Sequence, residues 1–161
     1  MPTRRIQRVL SASLAFAILV GVLGCAKELS EEEILEKAID HHRNKEYDDA
    51  LASFQMLVER FPKSPNAPEA LYAMGLIYQD NKKNSAKADT VFKKLVDSYP
   101  DDPTASGAAY LRAVLLWRDL KRPDDARKAY EDFLERYPHA AMANSARIEL
   151  DSLVRAGREK R

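Results

Sequence analysis

Cysteine and histidine, the side chains most often found as nucleophiles, bases and metal ligands, are rare in this sequence, and no carboxylate constellation stands out. One cysteine, Cys25, and three histidines, His41, His42 and His139, occur among 161 residues. A lone cysteine cannot form an internal disulfide, and adjacent histidines on a helix point in different directions, which disfavours a metal site. The glycines are too few and too scattered for a phosphate-binding loop. We therefore predict that the chain is not an enzyme and holds neither a metal ion nor a dissociable cofactor.

Cys25 stands at the end of a segment with the pattern of a secretion signal. Three arginines precede the almost wholly apolar run 9–23, which is shorter than the roughly 20 residues that span a bilayer. Residues 22–25 read VLGC, which resembles the bacterial lipobox, in which the cysteine becomes the acylated first residue. We predict a signal peptide over 1–24, a covalent lipid on Cys25 and a short tether over 25–29. The alternatives are that Cys25 is a buried or incidental thiol, or that the segment is an ordinary signal peptide with cleavage elsewhere.

The charge of the chain and the residue after the cysteine bear on partners and location. Lys and Arg number 26 against 25 Asp and Glu, and so balanced a chain lacks the basic face with which nucleic-acid binders displace phosphate counterions. Nucleic acid is therefore not an expected partner. Ala26 follows Cys25. By resemblance to enterobacterial lipoproteins, where Asp at that position retains the protein in the inner membrane, Ala26 implies a lipid-anchored protein on the periplasmic face of the outer membrane.

A 38-residue repeat runs through the rest of the chain. DALASFQMLVERFP ends at Pro62, ADTVFKKLVDSYP at Pro100 and ARKAYEDFLERYP at Pro138. In each unit an alanine, a ring four residues later and further apolar residues follow helical spacing, and the proline ends the helix. This pattern predicts antiparallel helix pairs with small residues where the helices cross. We predict helices over 30–44, 46–61, 67–81, 85–98, 104–119, 123–136 and 140–156.

The repeat resembles the tetratricopeptide (TPR) family of helical hairpins. The likeness is clearest over 70–78, where Gly75 and Tyr78 fall on the small and the aromatic positions of the first helix in the family pattern. The resemblance implies an all-α fold, a TPR-like α-solenoid of three helical hairpins with a C-terminal capping helix. It covers 30–156, and a basic tail follows over 157–161.

In the TPR family the first helices of successive hairpins line a concave groove that binds protein segments. Thirteen residues of this chain fall on the family's groove positions: Leu35, Ile39, His42, Arg43, Glu69, Tyr72, Leu76, Gln79, Asp80, Tyr110, Val114, Trp117 and Arg118. Aromatic and arginine side chains are the expected anchors in such a surface. For Tyr72, Tyr110 and Trp117 the alternative is that they merely pack between helices.

The lipobox, short tether and repeats together resemble two groups of envelope proteins. In the BamD family of the outer-membrane barrel-assembly machine, the repeats hold partner proteins, although those proteins usually carry more hairpins. The YbgF/CpoB coordinator of the Tol-Pal system has similar repeats after an N-terminal coiled coil, for which this chain has no room. We expect a membrane-anchored scaffold that binds envelope proteins or extended polypeptide segments in outer-membrane protein assembly. A Tol-Pal role and recruitment of a cell-wall enzyme stay open, and the sequence does not predict the oligomeric state.

Overall fold

The computed structural model describes residues 28–159, and the side chains of 28–157. The predicted signal peptide over 1–24 and the predicted lipid site Cys25 lie outside the described residues. Within them the chain forms seven helices and no strand. The helices are α1 Glu31–Arg43, α2 Tyr47–Arg60, α3 Asn66–Leu76, α4 Ser85–Ser98, α5 Pro103–Arg118, α6 Pro123–Arg136 and α7 Ala143–Glu159, with α3 extended by the π-helical segment Ile77–Asn81. The all-α prediction is confirmed.

Three helical hairpins stack in chain order. α1 packs on α2, α3 on α4 and α5 on α6, and each second helix also packs on the first helix of the next hairpin. The first helices α3 and α5 contact each other directly, and α7 packs on α6. This is the predicted TPR-like arrangement. α4 and α6 have the predicted bounds, whereas α7 begins at Ala143 instead of 140, because a backbone hydrogen bond from Ala140 to Tyr137 makes the preceding residues a turn.

Each first helix is followed by a lysine in the left-handed conformation. Lys45, Lys83 and Lys121 have φ values of 64°, 50° and 54° and recur at intervals of 38 residues. A left-handed residue at this place ends a helix and reverses the chain, a position that usually favours glycine. The recurrence shows that the turn between the two helices of a hairpin is part of the repeat.

The end of α3 is π-helical, whereas the sequence pattern predicts a continuous α-helix. The small residue at the crossing, Ala38 in α1 and Gly75 in α3, lies seven residues before the left-handed lysine in the first hairpin and eight in the second. Ile77–Asn81 accommodates the additional residue by widening the helix, and the Lys82 N–H donates to the carbonyl of Ile77, five residues back. The third hairpin has the same eight-residue spacing and the same kind of hydrogen bond after α5.

Small residues and rings meet where the two helices of a hairpin cross. The alanine near the start of each second helix and the ring four residues later are buried in all three hairpins: Ala50, Ala88 and Ala126, and Phe54, Phe92 and Tyr130. Gly75 shows how close the contact is, because a Cβ added there would lie 2.6 Å from Cζ and 2.7 Å from Cδ1 of Phe92. The glycine therefore leaves the space that the ring fills.

The aromatic residue before each proline connects successive hairpins. The Tyr99 hydroxyl donates to the Pro62 carbonyl at 2.7 Å, and one repeat later the Tyr137 hydroxyl donates to the Pro100 carbonyl at 2.9 Å. Phe61 occupies the same position in the first hairpin, and the described residues contain no earlier hairpin whose carbonyl could accept a hydrogen bond. The Phe, Tyr, Tyr series at this position therefore follows from the direction of stacking.

α7 has the register of a first helix but the outer face of a cap. Ala146 is buried, as is Ala108, which lies 38 residues earlier. A second repeat position differs between the two helices. Ala113 of α5 is buried, whereas Asp151, 38 residues later in α7, is exposed and pairs with Arg155. A stack of repeats needs such a polar surface at its end, and the predicted capping helix is confirmed.

We predict that Gly75→Ala lowers the free energy of unfolding by about 1 to 3 kcal/mol, because the new methyl group overlaps the Phe92 ring in a filled core. Urea unfolding followed by circular dichroism measures the change. Gly107→Ala is the matched control, since its Cβ would lie 3.4 Å from the Tyr72 hydroxyl, an ordinary contact. The control should keep its stability or gain up to about 1 kcal/mol from helix propensity. Equal stabilities of Gly75→Ala and the unchanged chain would contradict this packing.

We predict that Tyr99→Phe and Tyr137→Phe each destabilise the chain by about 0.5 to 1.5 kcal/mol, because each loses one hydrogen bond between hairpins. The same unfolding experiment measures the loss. Tyr78→Phe removes a hydroxyl that makes no hydrogen bond among the described residues, so its stability should not change. If Tyr78→Phe lowered the free energy of unfolding as much as Tyr99→Phe does, the effect would not be due to the hydrogen bonds between hairpins.

Candidate protein-binding groove

The first helices α1, α3, α5 and α7 lie side by side, and one side-chain contact joins each neighbouring pair. Glu31 of α1 accepts a hydrogen bond from Asn66 Nδ2 of α3 at 2.7 Å. The Tyr72 hydroxyl of α3 reaches the backbone of α5 at Gly107. Arg118 of α5 forms an ion pair with Glu149 of α7. We call the surface formed by the outward positions of these four helices the groove face.

The thirteen predicted groove residues all keep some exposure to solvent. Seven are half-buried: Leu35, Tyr72, Leu76, Gln79, Tyr110, Val114 and Trp117. Six are exposed: Ile39, His42, Arg43, Glu69, Asp80 and Arg118. They come from α1, α3 with its π-helical extension, and α5, and the structure brings those helices together. That they bind a partner stays a prediction.

The tyrosines of the groove face have a second role in packing. The ring of Tyr72 lies 5.9 Å from that of Phe92, and the ring of Tyr110 lies 5.9 Å from that of Phe133 between centroids. Trp117 packs partly against the core cluster of the third hairpin. Each ring therefore has one side on the core and keeps part of its surface in solvent, so packing between helices accounts for only part of its surface.

One residue of the groove face escaped the sequence interpretation. Ile148 of α7 is 69% exposed, more than any other large hydrophobic side chain among the described residues. It lies 38 residues after Tyr110, which lies 38 residues after Tyr72. The signal was present in the repeat, because the alanines of α7 align with those of α5, but α7 was interpreted only as a cap. The groove face thus extends over four helices.

Two buried polar atoms have no hydrogen-bond partner within the described part of the chain, Gln79 Oε1 and the Tyr130 hydroxyl. Gln79 is a groove position of α3, and Tyr130 packs against Tyr110 at 6.2 Å between ring centroids. Burial raises the pKa of the Tyr130 phenol well above its usual value, and the nearby Glu149 carboxylate adds to the shift. The hydroxyl therefore stays neutral.

The start of α1 carries the clearest carboxylate interaction. Ser64 and Asn66 both donate to the Glu31 carboxylate, and these hydrogen bonds lower its pKa. A lowered pKa means that the ionised form is favoured in the folded chain, so the stabilisation is present above the unfolded pKa and is lost as the pH falls through the folded one.

The described residues contain one group of possible metal ligands that lie close together: His41, Glu46 and Asp49. Their ligand atoms lie within 4.8 Å of one another. His41 Nδ1 lies 2.6 Å from Glu46 Oε2, and both carboxylates are exposed. The contact joins the end of α1 to the residue before α2. We interpret the cluster as part of that turn.

Residues 27–156 match the YfiO family, described as an outer membrane lipoprotein. The chain belongs to this family. The match confirms the resemblance to a TPR outer-membrane lipoprotein of the BamD kind, and with the fold it points to a protein-binding role in the cell envelope. No helix within 28–159 is long and apolar enough to cross a bilayer.

One solved structure supports the fold of this YfiO-family chain. The first TPR domain of Spaghetti (RPAP3), bound to an HSP90 peptide, is similar with a TM-score of 0.55 at 21% identity, over 81% of this chain and 98% of that chain. A tetratricopeptide repeat protein from Parabacteroides merdae is 16% identical over 76% of this chain and 59% of that chain, with a TM-score of 0.39. A comparison with curated proteins gave no match.

We predict that Tyr130→Phe raises the free energy of unfolding by about 1 kcal/mol or leaves it unchanged, because it removes a buried hydroxyl without a partner. The change restores the phenylalanine found at this position in the other two hairpins, Phe54 and Phe92. Phe92→Tyr is the reciprocal control and should destabilise. A loss of more than about 1 kcal/mol in Tyr130→Phe would indicate a hydrogen bond to the hydroxyl.

Proposed function

We propose that this chain is a lipid-anchored scaffold that holds polypeptide segments during the assembly of outer-membrane proteins. The observation that carries the proposal is the match of residues 27–156 to the YfiO family, together with the resemblance to BamD. Membership of an outer-membrane lipoprotein family supports an envelope location. The periplasmic face and the step in which the chain acts are parts of the proposal.

The groove face supports a binding role of this kind. Its half-buried rings are held on one side by the core, so that binding a partner would order little additional chain. The first TPR domain of Spaghetti was solved with an HSP90 peptide, and we propose that the same fold here holds a segment of an envelope protein. Such a scaffold needs no catalytic group.

The membrane attachment belongs to the same proposal. We propose that Cys25 carries the lipid after removal of 1–24, because the cysteine follows an apolar run and completes a lipobox-like sequence. Several acyl chains on one residue would give stable anchoring. The lipid would be the only covalent group that the chain requires.

Photo-crosslinking in intact envelopes tests the function. A photoreactive amino acid replaces Tyr110 or Trp117 on the groove face, and the matched control replaces Lys128, an exposed residue of α6. We expect crosslinks to a component of the barrel-assembly machine or to an unfolded barrel protein from the groove positions and not from Lys128. Crosslinks to Tol-Pal or wall-synthesis proteins would instead support the alternatives. Equal products from all three sites would contradict a groove-binding function.

A further inference from the structure

The groove face differs in charge between its two halves. Four exposed carboxylates of α1 and α3 make no hydrogen bond or ion pair within the described residues: Glu69 and Asp80 at groove positions, and Glu32 and Glu36 beside the groove position Leu35. Glu32 and Glu36 line the same surface depression as Leu35, and Asp80 follows Leu76 by four residues. We call these four residues the acidic quartet.

Three arginines of the groove face, Arg43, Arg118 and Arg155, each have a carboxylate partner. Arg43 pairs with Asp40 at 2.8 Å, and Arg118 pairs with Glu149. Arg155 at the end of α7 pairs with Asp151. The acidic quartet has no such partner among the described residues, and it lies in the half formed by α1 and α3.

The half formed by α5 and α7 carries a row of apolar side chains beside its paired charges. It presents the half-buried side chains of Tyr110, Leu111, Val114 and Trp117 and the exposed side chain of Ile148. α7 is otherwise a polar cap, with Asp151 where the earlier first helices have a small buried residue. Ile148, 69% exposed, continues the row of Tyr110 and Trp117 onto α7, and the row as a whole, more than one exposed side chain, offers an apolar contact.

We propose that the groove face binds an extended polypeptide segment with basic residues at one end and apolar residues at the other. The basic end lies against the acidic quartet, and the apolar end lies against α5 and α7 with Ile148 in contact. The inference rests on the proposed function and names the chemistry and the orientation of the segment. Charge complementarity is the argument, because unpaired carboxylates repel acidic segments and anionic lipid and attract lysine and arginine.

The size of the surface sets the length of the segment. Four first helices packed at about 9 to 10 Å between axes cover roughly 30 Å, which an extended chain spans with about nine residues.

Binding of fluorescent nine-residue peptides to the full chain in detergent tests the inference. One peptide has lysines in one half and leucine, isoleucine and tyrosine in the other, and the control has glutamates in place of the lysines. We expect the basic peptide to bind at least tenfold more tightly than the acidic one at low salt. The difference should shrink as salt is added, because exposed charges are screened beyond about 10 Å at 0.1 M salt.

Matched variants locate the site. Changing the acidic quartet to Gln and Asn should weaken the basic peptide about tenfold. The control changes four exposed carboxylates elsewhere to amides, with the same change in net charge: Asp101, Asp124, Asp132 and Glu135. This control should bind as the unchanged chain does. Ile148→Ser should weaken binding several-fold without lowering the melting temperature, since the side chain is mostly exposed.

A photoreactive group at one end of the peptide tests the orientation. A group at the basic end should label α1 or α3, and a group at the apolar end should label α5 or α7. Several outcomes would overturn the inference. The acidic-quartet variant and its control could weaken binding equally, or both peptides could bind equally well. The labelling could also be reversed, or self-association of the chain could displace the peptide. If no peptide binds while Trp117 still crosslinks to a barrel-assembly component, the inference fails and the proposed function stands. If no peptide binds and Trp117 gives no crosslink to a barrel-assembly component, the proposed function is contradicted as well.

Discussion

The contact between a small residue of each first helix and a ring of the second helix is the constraint on which this structure depends. In the second hairpin Gly75 leaves no room for even a Cβ beside Phe92. Because interiors are close-packed, such a contact holds the two helices at one distance and one rotation. The exposed face of each first helix is then determined as well. The groove face exists because the opposite faces of α1, α3, α5 and α7 are committed to packing.

Additional residues in the repeat have to be absorbed where they do not disturb this contact. The first hairpin has one residue fewer than the others between its crossing and its left-handed lysine. The second hairpin places the added residue in Ile77–Asn81, where the helix widens. Gln79 lies in that segment and has a buried oxygen without a partner in the described chain. The segment that absorbs the added residue thus contains a buried polar atom without a partner among the described residues.

A scaffold of this kind binds through surface and not through reactive groups. The rings that face outward are supported from behind by Phe92 and Phe133, which gives a preorganised surface. The capping helix α7 combines two roles. It closes the stack with polar residues, and it keeps the exposed Ile148 at the repeat position of Tyr72 and Tyr110. Family membership, fold and surface are consistent with one another at each of these positions.

The amino-acid sequence by itself determined the repeat, the helices and the ends of most of them, because alanine, ring and proline at fixed spacing act locally through helix geometry. It also indicated the groove positions of α1, α3 and α5. The tertiary structure alone decided the features that depend on neighbours in space. These are the hydrogen bonds from Tyr99 and Tyr137 to the preceding hairpin, the π-helical end of α3 and the 69% exposure of Ile148. Each of them depends on which hairpin lies beside which, and local spacing carries no information about that.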